Sequence, residues 1–306
     1  MSVIIDSVTK TFGTQKALNS VSFKVSEGEV VGFLGPNGAG KSTMMKIATG
    51  YLIADAGEVT ICGQKITPDN TEVRRLIGYL PEHNPLYLEM YVREYLEMVG
   101  KLYYISSKDI KREVEAVIER TGLGAESHKK IGALSKGYRQ RVGIAQAIIG
   151  KPKVIILDEP TTGLDPNQIV DIRNLIKDLG REHSVILSTH IMQEVEAICD
   201  RIVLIDHGQI RAEGTPQEIS TLVGGQQVVE IAFEERDTDL TVLGEMAFVD
   251  HIVKTEEGYE VYAAEGVEDI RPMLFRFAVE NKLTLIKLNK MVNSMEDLFH
   301  RLIPSK

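Results

Sequence analysis

Three groups of residues have the types and spacing to do chemistry on a phosphate. The first, Gly35-Pro36-Asn37-Gly38-Ala39-Gly40-Lys41-Ser42-Thr43, matches the pattern G-x-x-x-x-G-K-[ST] in full. Its glycines let the backbone curl so that successive N–H groups point inward and cradle phosphate oxygens at the start of a helix. Lys41 would reach the β- and γ-phosphates, the Ser42 hydroxyl would serve Mg²⁺, and Thr43 would add a donor near the α-phosphate. The second group is Asp158-Glu159, which closes the apolar run Val154-Ile155-Ile156-Leu157. Asp158 is placed to hold Mg²⁺ through water, and Glu159 to orient and deprotonate an attacking water. The third is His190, which follows Val185-Ile186-Leu187-Ser188-Thr189. A lone histidine after a strand is commonly structural. If that strand lies beside the one carrying Asp158, His190 comes near a γ-phosphate.

The elements that must position these groups are readable from periodicity. Residues 29–34 form a short apolar run that predicts a buried strand entering the phosphate loop, and residues 44–49 predict a helix stopped by Gly50. Upstream, Val3, Ile5 and Val8, then Leu18, Val21, Phe23 and Val25, alternate with polar positions and predict antiparallel strands. Phe12 stands just before a turn, where its ring could stack on an adenine face or simply pack. Residues 57–63 read as a strand returning to that opening sheet. Residues 74–80 lead into Pro81-Glu82-His83-Asn84-Pro85, where two prolines impose a loop. Over about 91–150 the spacing turns helical, with Val92, Tyr95, Leu96, Val99 and Leu102, then Val114, Val117, Ile118 and Thr121. The wholly apolar run before Asp158 is what a buried parallel strand looks like where its C-terminal end opens into a site. A helix over 168–179, another over 193–199, and a strand and hairpin around Asp206-His207-Gly208-Gln209 complete a domain of residues 1–222.

Gly224-Gly225-Gln226-Gln227 reads as a linker to a second domain, residues 223–306. There we expect strands at 228–233, 259–263 and 283–288, a helix at 267–281, and a last helix opening at Ser294 with Asp297 three residues on. Met295, Leu298, Phe299 and Leu302 would form its apolar stripe. This small α+β module shows no catalytic constellation, and its role is packing, regulation or dimerisation.

The chain of 306 residues is 43% hydrophobic and 26% charged, as in an ordinary soluble globular protein. A formal charge of −9 argues against general nucleic-acid binding. Cys62 and Cys199 make no disulfide framework and are expected as buried thiols in a reducing compartment. No secretory signal is visible at Met1-Ser2-Val3-Ile4-Ile5-Asp6, and no run approaches the roughly 18 apolar residues that span a bilayer. A cytoplasmic protein without direct membrane insertion is expected, able to dock on a membrane partner.

Taken together, the ordered motifs resemble the ATP-binding subunits of ABC transporters over residues 1 to about 220. The resemblance rests on Gly35 to Thr43, the loop at Tyr79 to Glu82, the signature Leu134-Ser135-Lys136-Gly137-Tyr138, Asp158-Glu159, the turn Gly163-Leu164-Asp165 and His190. A phosphate loop alone would allow kinases, GTPases and helicases; the signature is specific to the ABC class. The resemblance implies an α/β P-loop NTPase fold of ABC type, with a mixed sheet core, an antiparallel β subdomain and a helical subdomain, here followed by the α+β module. It implies an ATPase using ATP and Mg²⁺, peripheral on the inner face of the cell membrane. It also implies a head-to-tail homodimer in which each ATP lies between one phosphate loop and the partner's Ser135 and Gly137, powering transmembrane permease subunits. The physics agrees, because the signature opens a helix whose N-terminal N–H groups and Ser135 hydroxyl can meet a γ-phosphate.

Two positions depart from the family pattern. Glu82 stands where the family has a loop glutamine; it can still turn an oxygen towards Mg²⁺ or water but adds a negative charge. Leu-Ser-Lys-Gly-Tyr replaces the commoner Leu-Ser-Gly-Gly-Gln, keeping Ser135 and Gly137 and adding the positive charge of Lys136. Both variants resemble the subfamily serving ABC-2-type exporters. Residues 79–87 together with Met90-Tyr91-Val92-Arg93-Glu94-Tyr95-Leu96 look most like the ATPase associated with gliding motility in Bacteroidetes-type bacteria. The alternatives are a soluble ABC-type translation factor and a DNA-associated ATPase. The first carries two ATPase domains on one chain, whereas this chain has one phosphate loop; the second needs long heptad insertions, whereas this helical segment is compact.

Overall fold

A computed structural model describes residues 1–223, 227–234, 240–255, 257–264, 266–267 and 269–291. The chain separates into two compact units, 1–216 and 217–306. In chain order the first unit runs β1 (Val3–Phe12), β2 (Gln15–Val25), β3 (Val30–Leu34), α1 (Lys41–Ala48), β4 (Ala56–Ile61), β5 (Gln64–Lys65) and β6 (Ile77–Leu80). Three helices follow, α2 (Val92–Leu102), α3 (Ile110–Arg120) and α4 (Lys136–Ile148). The chain then returns through β7 (Val154–Asp158), α5 (Pro166–Gly180), β8 (Ser184–Thr189), α6 (Met192–Ile198), β9 (Arg201–Asp206) and β10 (Gln209–Gly214), with α7 (Pro216–Val223) at the boundary.

Two sheets share the first unit. β2-β1-β4-β5 is wholly antiparallel, and β10-β9-β3-β8-β7-β6 is parallel except for its β9–β10 hairpin. Every residue of β3, β7 and β8 is buried, as expected for central parallel strands covered on both faces. Side chains from both sheets, among them Val3, Phe23, Phe33, Ile61, Ile156 and Ile186, form one continuous core with Met44 of α1. The strand carrying His190 does lie beside the one carrying Asp158, with Asp158 opposite Ser188 in register. The C-terminal ends of β3, β7 and β8 therefore reach the same edge of the sheet.

The helical segment buries Val92, Tyr95, Leu96 and Val99 as expected, but Leu102 is 70% exposed. Leu102 is the last residue of α2, at the edge of the stripe where the helix ends. Cys199 is buried, whereas Cys62 is exposed, which corrects the expectation for that thiol. Cys62 and Gly63 have φ of 48° and 80° and link Ile61 to its partner Gln64. Two successive left-handed residues make a tight hairpin turn, so the apolar run ends at Ile61 and the thiol sits at the tip.

The second unit contains β11 (Val228–Phe233), α8 (Thr241–Gly244), β12 (Val249–Lys254), β13 (Tyr259–Ala263), α9 (Arg271–Glu280) and β14 (Leu285–Met291). Its antiparallel sheet has the order β12-β13-β11-β14, and Leu274, Phe277 and Ala278 of α9 pack on Val229, Ile231 and Val261. α9 is shorter than expected at both ends. Pro272 falls in its first turn, and Lys282, with φ of 54°, turns the chain just past its end. The turn also displaces the following strand to Leu285–Met291. α8 and β12 had not been expected. Most of the expected linker and all of the helix from Ser294, with Asp297, Met295, Leu298, Phe299 and Leu302, lie outside the described residues.

Candidate nucleotide site

The phosphate loop is a backbone device. Between β3 and α1 the chain passes so close to its neighbours that a Cβ on Gly35 would sit 2.3 Å from the Ile205 carbonyl oxygen. One on Gly40, whose φ is 109°, would sit 2.4 Å from that of Ala17. Neither position tolerates a larger residue, and Gly40 also needs a backbone conformation that other residues rarely adopt. α1 begins at Lys41 without a side-chain cap, leaving its first N–H groups directed at the loop. Lys41 is buried, its Nζ donating to the carbonyls of Gly35 at 2.8 Å and Pro36 at 3.2 Å.

A cleft of about 500 Å³ opens over this loop. It is lined by Phe12, Gln15, Ala17, Asn37, Gly38, Gly40, Lys41, Ser42, Thr43, Glu82, Glu159, Thr162 and His190. Segments remote in sequence thus converge: the end of β1 with the start of β2, the loop into α1, the loop after β6, and the chain just past β7 and β8. Phe12 is 51% exposed, so its ring is offered to the cleft more than to the core.

Glu159 is the hub of the polar network. Its φ of 51° places a non-glycine residue in the left-handed region, at a cost of order 1–3 kcal/mol. The conformation is held because its N–H donates to Ser188, to the carbonyl at 3.1 Å and the hydroxyl at 3.0 Å. This kink turns the Glu159 carboxylate into the cleft, where Oε1 lies 3.3 Å from Lys41 Nζ and Oε2 lies 2.9 Å from His190 Nδ1. Thr162 Oγ1 donates to Oε2 at 3.1 Å. Lys41 and Glu159 are both nearly buried, so their attraction is weakly screened.

Asp158 sits beneath, accepting from the hydroxyls of Ser42 at 3.1 Å and Ser188 at 2.6 Å. Burial raises its pKa, the two hydroxyl hydrogen bonds oppose the shift, and the charges of Glu82 and Glu159 reinforce it. Among the described residues no group of three or more His, Cys, Asp or Glu forms a metal cage. Mg²⁺ takes oxygen ligands, keeps several waters and uses few protein groups besides phosphate. The Ser42 hydroxyl touching the Asp158 carboxylate, with Glu82 on the same cleft, supplies that donor chemistry.

Ser135 and Gly137 are not among the residues lining this cleft. Ser135 is the N-cap of α4, its Oγ accepting from Tyr138 N–H at 3.3 Å, and Gly137 lies so near α5 that a Cβ would meet the Gln168 side chain at 2.6 Å. Asp165 caps α5 in the same manner, accepting from Gln168 N–H at 2.9 Å, with Pro166 in the first turn. Of the residues that contact the acidic pair, the sequence reading passed over Thr162 and Ser188. Thr162 follows Glu159 by three residues, and Ser188 precedes His190 by two on the expected strand, so placing that strand in register with β7 is the signal that finds it.

A phosphate loop feeding a helix from a central parallel strand, with an acidic pair at the end of a parallel strand one removed in the same sheet, defines a P-loop nucleoside triphosphatase. The family model described as "ABC transporter" matches residues 18–162. An uncharacterized ABC transporter ATP-binding protein, YxlF of Bacillus subtilis (strain 168), is 32% identical over 98% of this chain and 98% of its own. Nod factor export ATP-binding protein I of Rhizobium sp. (strain N33) is 35% identical over 96% of this chain and 94% of its own. Among solved structures, the ATP-binding cassette MJ0796, in a dimeric post-hydrolysis state bound to ADP and Pi, superposes with a TM-score of 0.64 at 28% identity, covering 70% of this chain and 98% of that one. The chain belongs to the family of ABC transporter ATP-binding proteins, and it is an ATPase.

Proposed function

We propose that this chain is the ATP-hydrolysing subunit of an ABC-2-type exporter, and that two copies pair head to tail around two ATP molecules. The observation that carries the hydrolytic reading is the Glu159 carboxylate, fixed by a strained backbone within 3.3 Å of Lys41 and 2.9 Å of His190. ATP enters with its phosphates on the loop of Gly35, Asn37, Gly38 and Gly40, and with Lys41 and Thr43 as donors. Phe12 stacks on the adenine. Ser42, Asp158 and Glu82 would hold Mg²⁺, which would neutralise charge developing on the phosphates. Glu159 takes a proton from the water as its oxygen bonds to the γ-phosphorus and the bond to the ADP oxygen breaks, giving ADP and inorganic phosphate. His190, hydrogen-bonded to Glu159, holds that carboxylate and donates to the γ-phosphate.

The position of Ser135 and Gly137 away from the chain's own cleft supports a shared site. A second copy's α4 N-terminus would close on the γ-phosphate, and hydrolysis would remove the charge that bridges the pair. Export is supported by the name of the Nod factor relative and by Glu82 and Lys136 in the variant motifs. Among the described residues no helix is long and apolar enough to cross a membrane, and in this reading a permease partner supplies the membrane passage. Within this reading we assign the particular system to gliding motility, on residues 79–96. Affinity purification of the tagged chain from detergent-solubilised native membranes tests the partner: a polytopic permease is expected, whereas ribosomes or DNA in its place would overturn export in favour of a translation or DNA-associated ATPase.

A further inference from the structure

We propose that Glu194 is a positioning residue that locks the loops carrying Glu159 and His190 into one unit with the strand feeding the phosphate loop. The inference rests on the reading of Glu159 and His190 as the hydrolytic pair. Glu194 lies in the first turn of α6 and is 0% exposed. Its two carboxylate oxygens each accept one hydroxyl. Thr161 Oγ1 donates to Oε1, and Thr189 Oγ1 donates to Oε2 at 2.7 Å. Both threonines are themselves buried.

The two donors belong to different strand ends. Thr161 stands two residues beyond Glu159, and its carbonyl accepts from Leu164 N–H at 3.1 Å, opening the turn that leads to Asp165. Thr189 immediately precedes His190, and its hydroxyl also accepts from Ile191 N–H at 3.0 Å, so both flanks of His190 are tied. Glu194 is therefore the common acceptor for the chain after β7 and the chain after β8. α6 in turn is seated on β3. Gly32 of that strand leaves room for Val195 and Cys199, which a Cβ there would meet at 2.6 and 2.9 Å.

A buried carboxylate with both oxygens satisfied by hydroxyls fixes geometry, because either hydroxyl that turns away leaves an unpaired polar atom in the interior. The separation of Glu159 from His190, and of both from the loop after β3, is then set through one side chain. Such a residue acts on turnover and leaves nucleotide affinity alone, since it touches neither phosphate nor base.

The test uses the full-length protein, with steady-state ATP hydrolysis and trinitrophenyl-ATP binding measured for paired substitutions. Thr161→Val and Thr189→Val keep volume and delete the donated hydroxyl; Thr161→Ser and Thr189→Ser keep the hydroxyl and drop a methyl. Each valine variant should lose about tenfold in kcat with nucleotide affinity held within about twofold, and each serine variant should be the faster of its pair. Glu194→Gln, which turns one acceptor into a donor, should fall with the valine variants. Should it fail to fold, the threonine pairs still decide. Valine variants at least as fast as their serine counterparts would overturn the proposal, because that is the order packing alone produces. Undiminished hydrolysis by Glu159→Gln would remove the hydrolytic pair itself, a different failure from wild-type turnover in the valine variants.

Discussion

The two units use β-sheet in opposite ways, and the difference explains where the candidate site lies. In the first, β3, β7 and β8 run parallel, so their carboxyl ends and the loops after them open on one edge. Lys41, Glu159 and His190 come from three segments, the last two 31 residues apart and the first far upstream, yet meet within a few ångströms. In the second, β12-β13-β11-β14 is antiparallel throughout, and its strand ends alternate between edges. Its charged residues pair in place: Arg271 with Asp269, and Lys287 with Glu230 and Glu257. Asp269 is held well below the usual carboxylate range by the Arg271 guanidinium, in an exposed and locally satisfied pair. A parallel edge collects side chains; an antiparallel sheet distributes them.

If the parallel edge holds the chemistry, substitutions there should abolish function without loosening the other unit. Lys41→Ala removes a buried ammonium from the phosphate cradle, and nucleotide affinity should fall by about 100-fold, roughly 2.7 kcal/mol. Equilibrium binding of trinitrophenyl-ATP reads the change, and unaltered affinity would contradict the placement of the phosphate. The converse probe is Leu274→Ala in the core of the second unit. It should lower stability by about 2–5 kcal/mol in urea titration while kcat at 25 °C holds within about twofold. A collapse of turnover in the still-folded protein would show that the second unit takes part in the cycle.

The smallest effect sharpens the role of the departure from the family pattern. Glu82 contributes one of the negative charges that raise the Asp158 pKa. Glu82→Gln removes that charge, so the Asp158 carboxylate persists to lower pH and the acid limb of kcat/KM should move to lower pH. The turnover at neutral pH should change by no more than about threefold, because glutamine keeps a side-chain oxygen for Mg²⁺. Movement of the acid limb to higher pH would contradict the electrostatic account.

Much of the first unit was legible because its signals are local. The phosphate loop, the apolar run before Asp158 and the run before His190 each carry their own pattern, and adjacency of β7 and β8 follows from a parallel sheet. What escaped depends on pairing. Ser188 reaches Asp158 only through the register of β8 on β7, and Cys62 is exposed because a two-residue turn ends β4 one position earlier than the apolar run suggests. β12, with Asp250, His251 and Lys254 among its six residues, has little apolar signal of its own and is held as a strand by pairing with β13. The site's members were recognisable by type; the Glu159 kink that joins them is a backbone fact no side-chain pattern announces.

The central claim is a shared ATP site that one chain cannot complete. Sedimentation velocity of the Glu159→Gln protein, with and without ATP and Mg²⁺, tests it directly. The account predicts a monomer without nucleotide and a dimer with it. A protein that binds ATP and still sediments as a monomer would contradict it.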